Sequence, residues 1–203
     1  MDVAAADDMW ARAYEHVAAT EPDTLEWARS VGPATFRNLR LRQFLSHYCF
    51  VIYASGFKFS TIDAKFPALT KAFKDFDPDK LSRMRSLTPV LKVFGNERKA
   101  DCFLRGAKLL IAEGFSKFKN RLRRDGVCVL EALPGLGPIT KDHLAKNIGF
   151  LDVAKADVWL ERAAAQCGCT VVELVDGIAQ RHGESRHVVD VAVWMLGRDG
   201  KLN

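Results

Sequence analysis

Apolar side chains recur at intervals of three and four residues along almost the whole chain, and no long alternating run rich in β-branched residues interrupts them. A helix places such residues on one face, whereas a half-buried strand needs alternation, so the fold class expected is all-α. The candidate helices are residues 7–19, 22–31, 33–54, 60–74, 78–85, 96–113, 114–124, 126–132, 138–147, 157–167, 170–182 and 185–198. Their ends carry matching signals: Thr20 and Pro22 as a cap and a first-turn proline, Asp77 and Pro78 likewise, and Gly114, Gly149 and Gly168 in the left-handed position after a helix. Gly56 in "YASGFKFS" reads as a tight break between two helices. With 203 residues, 48% of them hydrophobic, the chain can build one substantial core or two small lobes sharing one.

Lys, Arg or Asp interrupts every apolar run before the ~18 residues that span a bilayer, so no membrane partner is expected. "MDVAAADDMW" is acidic and lacks the basic start and apolar middle of a signal peptide, which points to the cytoplasm. Cys49, Cys102, Cys128, Cys167 and Cys169 lie mostly in apolar runs, an odd set that does not read as a disulfide framework. Cys167-Gly-Cys169 is their one close pair, and without a second pair or a nearby His it is a weak metal signal.

The net charge of +5 is unevenly spread, with basic clusters in "RNLRLR" (37–42), "NERK" (96–99) and "KFKNRLRR" (117–124). One such cluster is ordinarily a solvated helix face; three together favour phosphate, and hence nucleic acid.

"LPGLGPITK" (133–141) supplies a more specific signal. Gly135 and Gly137 permit positive φ and close approach, and Pro138 suits the first turn of a following helix. Backbone N–H groups of such a turn can form a nest for a phosphate, although a Gly-Pro turn without a ligand is more common.

Four segments in order, "LRQFLSHYCFVIYASGFKFSTIDAKFPAL", "VFGNERKADCFLRGAKLLIAEG", "LEALPGLGP" and "ADVWLERAAA", together resemble the helix-hairpin-helix (HhH-GPD) DNA glycosylases. The resemblance implies one two-lobed helical unit over residues 1–203 with a central cleft, a lobe of about 36–132 and a hairpin-containing lobe of 1–35 plus 133–203. It implies that Asp157 is the catalytic acid, for which capping the next helix is the structural alternative. Gly135, Gly137, Ile139, Thr140, Lys141, Asn96, Arg98 and Lys99 would contact DNA, while Ser55, Phe57, Lys58, His143 and Trp159 would supply the wedge and pocket. As in some relatives, a monovalent cation could sit on the carbonyls of Glu131, Leu133 and Leu136; no other metal or cofactor is expected.

Two departures shape the chemistry. Bifunctional members carry a lysine where this chain has Ile139, so strand cleavage through a Schiff base is not expected. The four-cysteine cluster of some relatives is missing from the sequence, so no iron–sulfur cluster is expected. The wording of "YCFVIYASGF", "GPITKDHLAKNIG" and "DVAVWMLGR" is similar to a divergent branch that includes glutamyl-putrescinyl-thymine pyrophosphorylase-like proteins and antiphage modified-base glycosylases. The expectation is a monomeric, monofunctional glycosylase that excises a modified base, bulky phage-type bases included, from double-stranded DNA. The alternatives are a transferase acting on a flipped thymine and a non-catalytic DNA-binding module.

Overall fold

The computed structural model describes residues 1–202. Among them the chain is all-α, without strands. The helices are α1 (Val3–Thr20), α2 (Pro22–Ser30), α3 (Pro33–Asn38), α4 (Leu41–Ala54), α5 (Phe59–Ala72), α6 (Pro78–Arg83) and α7 (Thr88–Val93). They continue as α8 (Glu97–Glu113), α9 (Phe115–Asp125), α10 (Cys128–Glu131), α11 (Pro138–Asn147), α12 (Val158–Gln166), α13 (Val171–His182) and α14 (Arg186–Arg198). No helix among the described residues is long and apolar enough to cross a membrane.

Several expectations need correction. The helix anticipated over 33–54 is two, because Leu39 and Arg40 leave helical geometry between α3 and α4. Helix α7 has only six residues, too few to show a periodic apolar face. Thr20 closes α1 by donating its hydroxyl to the His16 carbonyl at 2.8 Å, and the residue before α2 is Glu21. Asp77 does cap α6, accepting the Lys80 N–H at 3.0 Å, and Gly114, Gly149 and Gly168 all have positive φ.

The chain divides into two compact units, residues 1–37 with 149–203 and residues 38–148. The expected boundary at 133 is therefore displaced: the hairpin belongs with the central helices. Its anchors explain why. The Tyr48 hydroxyl on α4 donates to the Pro134 carbonyl, and Gly135 lies against Ile52 on α4 and Cys102 on α8.

In the first unit α1 buries Ala6, Met9, Trp10, Ala13 and Val17, a stripe at helical spacing, against α14. α14 is buried on nearly every side, from His187 to Gly197, as a central helix must be. Its Asp190, 2% exposed, accepts the backbone N–H of Lys155 at 2.9 Å and so pins the loop before α12. Gly149, at φ +70°, passes directly against the backbone of Gly32.

Several carboxylates of this unit sit below their ordinary pKa. Arg198 beside it, then the His16 hydrogen bond, brings Asp199 down to about 2, while Arg181 lowers Asp7 and Arg186 lowers Asp176. A depressed carboxylate contributes stability that is complete above its unfolded pKa and is lost as pH falls through the folded one. Urea midpoints are therefore expected to fall steeply between about pH 4 and pH 2, and Asp199→Asn is expected to flatten that descent. An unchanged profile in the variant would remove Asp199 from this role.

The second unit is organised around α4, which buries Phe44, Leu45, Tyr48, Cys49, Val51, Ile52 and Tyr53. An aromatic cluster fills the space beside it: Phe73 meets Phe103 at 4.5 Å, Phe76 meets Phe103 at 5.7 Å and Tyr53 meets Phe94 at 5.3 Å. Lys74, Asp75 and Phe76 form a short left-handed turn with φ of 58°, 54° and 56°. The buried Phe73 and Phe76 hold its ends, and Arg42 Nε donates to the Asp75 carbonyl at 2.6 Å.

Candidate functional site

The two units carry opposite charge. Residues 38–148 hold 21 lysines and arginines against 10 aspartates and glutamates, a net of +11. Residues 1–37 with 149–203 hold 9 against 15, a net of −6. The whole-chain +5 conceals this division. All three basic clusters, apart from Arg37, fall in the unit that carries the hairpin.

The hairpin is built differently at its two glycines. Gly135 has φ +84°, and a Cβ there would lie 3.0 Å from Cys102 Cβ and 3.3 Å from Ile52 Cδ1, so conformation and space both call for glycine. Gly137 has extended backbone, with φ −139° and ψ −173°, and its N–H is already engaged by Thr140 Oγ1 at 2.7 Å. Gly137 therefore presents no open N–H, contrary to expectation; Thr140 has taken the place an anion would fill. Thr140→Val, nearly isosteric, is expected to cost about 1 kcal/mol through the lost cap, read as a fall in Tm of roughly 2–4 °C. No change would mean that water replaces the hydroxyl.

Ile139, next to Pro138 at the start of α11, is 58% exposed. Lys141 folds back, 3.2 Å from the Glu131 carboxylate and donating to the Pro138 carbonyl at 3.2 Å. Of the carbonyls considered for a cation, that of Leu133 accepts the Leu136 N–H at 3.2 Å. Glu131 lies in α10, immediately before the turn. His143 is half-buried on α11 and Asn147 is buried at its end.

Ser55, Gly56, Phe57 and Lys58 form the exposed turn between α4 and α5. Phe57 is 42% exposed; its ring meets Phe94 edge-on at 5.0 Å and has the Lys99 ammonium 5.4 Å from its centroid. Lys99 donates to the carbonyls of Ile52 and Ser55, the latter at 2.8 Å. It thus closes the C-terminus of α4 and steadies the turn. Desolvation, with help from nearby Arg98, pushes its pKa down. Asn96 caps α8 through the Lys99 N–H at 3.0 Å, while Arg98 is exposed.

Asp157 stands in the other unit, at the start of α12. Its Oδ1 accepts the N–H groups of Trp159 at 3.0 Å and Leu160 at 3.3 Å, and its Oδ2 lies 3.6 Å from the Lys155 ammonium. The carboxylate retains 13% exposure. Trp159 packs its ring against Gly197 of α14, beneath the Arg162 guanidinium at 5.0 Å, so it belongs to this unit's core instead of lining a pocket.

No family model, curated protein or solved structure matches the chain.

Sequence reasoning missed Lys155. Its signal was present in "AKADVW", a lysine two residues before the aspartate, but the bond from its backbone to buried Asp190 joins residues 35 apart and leaves no local trace. Among the described residues no cluster of three or more His, Cys, Asp or Glu side chains could hold a metal ion.

Proposed function

We propose that the protein is a monofunctional DNA glycosylase acting on a modified base. The observation that carries this reading is the charge division: the unit holding the glycine hairpin and the exposed Phe57 turn has a net charge of +11, as phosphate neutralisation requires. The hairpin is rigidly anchored at Gly135, and Ile139 has no amine with which to form a Schiff base. The nucleotide would be flipped from the stack, with Phe57 as the group that fills the gap. As the bond between C1′ and the base nitrogen breaks, the base leaves with the bonding pair and takes up a proton. Water adds its oxygen to C1′ and releases a proton, which replaces the one the base took up. Positive charge on the sugar is greatest between these events, and the Asp157 carboxylate would stabilise it.

The deciding experiment incubates the protein with phage DNAs carrying different base modifications and detects abasic sites by alkali scission. Scission in one of them, lost in Asp157→Asn, is the expected outcome. Intact DNA throughout would overturn the reading.

A non-catalytic DNA-binding module is the second reading, favoured by the two N–H groups that Asp157 Oδ1 already caps. Asparagine keeps that oxygen, so a biological effect undiminished by Asp157→Asn would decide for the module.

A further inference from the structure

Two of the basic clusters are brought together far from the hairpin. Lys119 Nζ on α9 donates to the Leu39 carbonyl at 3.3 Å, which sets α9 beside Arg40 and the first turn of α4. Phe44 packs on Phe115 at 5.4 Å and Phe118 at 5.2 Å, fixing α9 along the same end. The hairpin and the Phe57 turn meet α4 at Tyr48, Ile52 and Ser55, and α4 rises about 1.5 Å per residue, so the two places lie roughly 12 to 22 Å apart along it.

Charge is concentrated here. Residues 113–125 hold five basic residues against two acidic ones. Those two acids are engaged by neighbouring arginines: Glu113 takes both ends of Arg121 at 2.8 and 2.7 Å, and Asp125 takes Arg124 at 2.6 and 2.8 Å. Arg40 and Arg123 are exposed beside Lys119. Desolvation and then the nearby Arg123 push the Lys119 pKa down.

We infer that this end of α4, formed by Arg40, Lys119 and Arg123, is a second nucleic-acid surface that grips duplex backbone away from the hairpin. Lys119 and Arg123 are one helical turn apart, a rise of about 6 Å, close to the axial spacing of alternate phosphates on one strand, about 6.8 Å. A membrane is the less suitable partner. The large hydrophobic residues exposed in this unit, Phe57, Leu109 and Ile139, are all outside the patch, and a membrane-binding helix needs apolar side chains to insert.

The test measures affinity for a 30-base-pair duplex against salt, by fluorescence anisotropy, for wild type and for Lys119→Gln/Arg123→Gln. Two lost phosphate contacts should make the slope of log K against log salt shallower by about 1.8. Because Lys119 also packs on Phe115, Arg40→Gln/Arg123→Gln serves as a second variant, with the same expected change of about 1.8 and circular dichroism as the folding control. Arg42 is left intact because it holds the Asp75 turn. An unchanged slope in both folded variants overturns the inference, as does loss of binding to phosphatidylserine vesicles with DNA binding intact. The inference is independent of base excision. If the slope falls but abasic sites never form, the excision reading fails and the second surface stands; abasic sites formed with an unchanged slope overturn the second surface alone.

Discussion

Asp157→Asn is expected to lower base excision by roughly 10²-fold or more, the scale of loss when one preorganised electrostatic group is removed from an active site. The fold should survive. Asparagine caps helices as well as aspartate does, so the bonds to the Trp159 and Leu160 N–H groups persist through Oδ1. What disappears is the negative charge and its attraction for the Lys155 ammonium, 3.6 Å from Oδ2, a pairing worth no more than about 1 kcal/mol. Excision rate and thermal unfolding should therefore separate: a large fall in the first, a small one in the second. Equal excision by wild type and Asp157→Asn would confine the residue to capping. Lys155→Met refines the result. With its neighbour neutralised, Asp157 keeps its charge and its cap, so excision retained in Lys155→Met and lost in Asp157→Asn would assign the effect to the carboxylate alone.

Gly149→Ala should be the most damaging small substitution in the first unit. A Cβ at this position would collide with the backbone carbonyl of Gly32, which has no side-chain rotamer to yield, and φ of +70° is already unfavourable for alanine. Left-handed backbone costs an L-residue about 1–2 kcal/mol, and overpacking adds about 1–3 kcal/mol. A loss near 3 kcal/mol corresponds to a fall in Tm of roughly 6–12 °C for a chain of this size. Gly168→Ala is the companion control: φ is +61° but a Cβ there meets nothing within 4 Å, so it should lose only the conformational part. Equal shifts in the two variants would show that the Gly32 backbone moves aside without cost.

The helices were legible because amphipathic spacing is a local property. Eleven of the twelve expected, from α1 to α14, lie within a few residues of their places, and short α7 escaped for want of turns. The allocation of the hairpin was not legible. It follows from the Tyr48 hydroxyl and Pro134, 86 residues apart in sequence, and from the fit of Gly135 between Ile52 and Cys102. At the candidate site, residue types were readable but their engagements were not. Lys99, Lys141 and Thr140 look alike in the sequence as polar groups near a phosphate, yet each is used within the fold: on α4's last carbonyls, on Glu131, and on the Gly137 N–H. Polar side chains at helix ends face this competition between backbone and ligand, and only tertiary position decides it.

The division of charge has a kinetic consequence. On the proposed reading, a duplex would attract the unit with net charge +11 and repel the one with −6 over distances comparable to the Debye length, about 10 Å at 0.1 M salt. Association at low salt should be fast for a protein of such modest overall charge, and much of its advantage should vanish as screening rises.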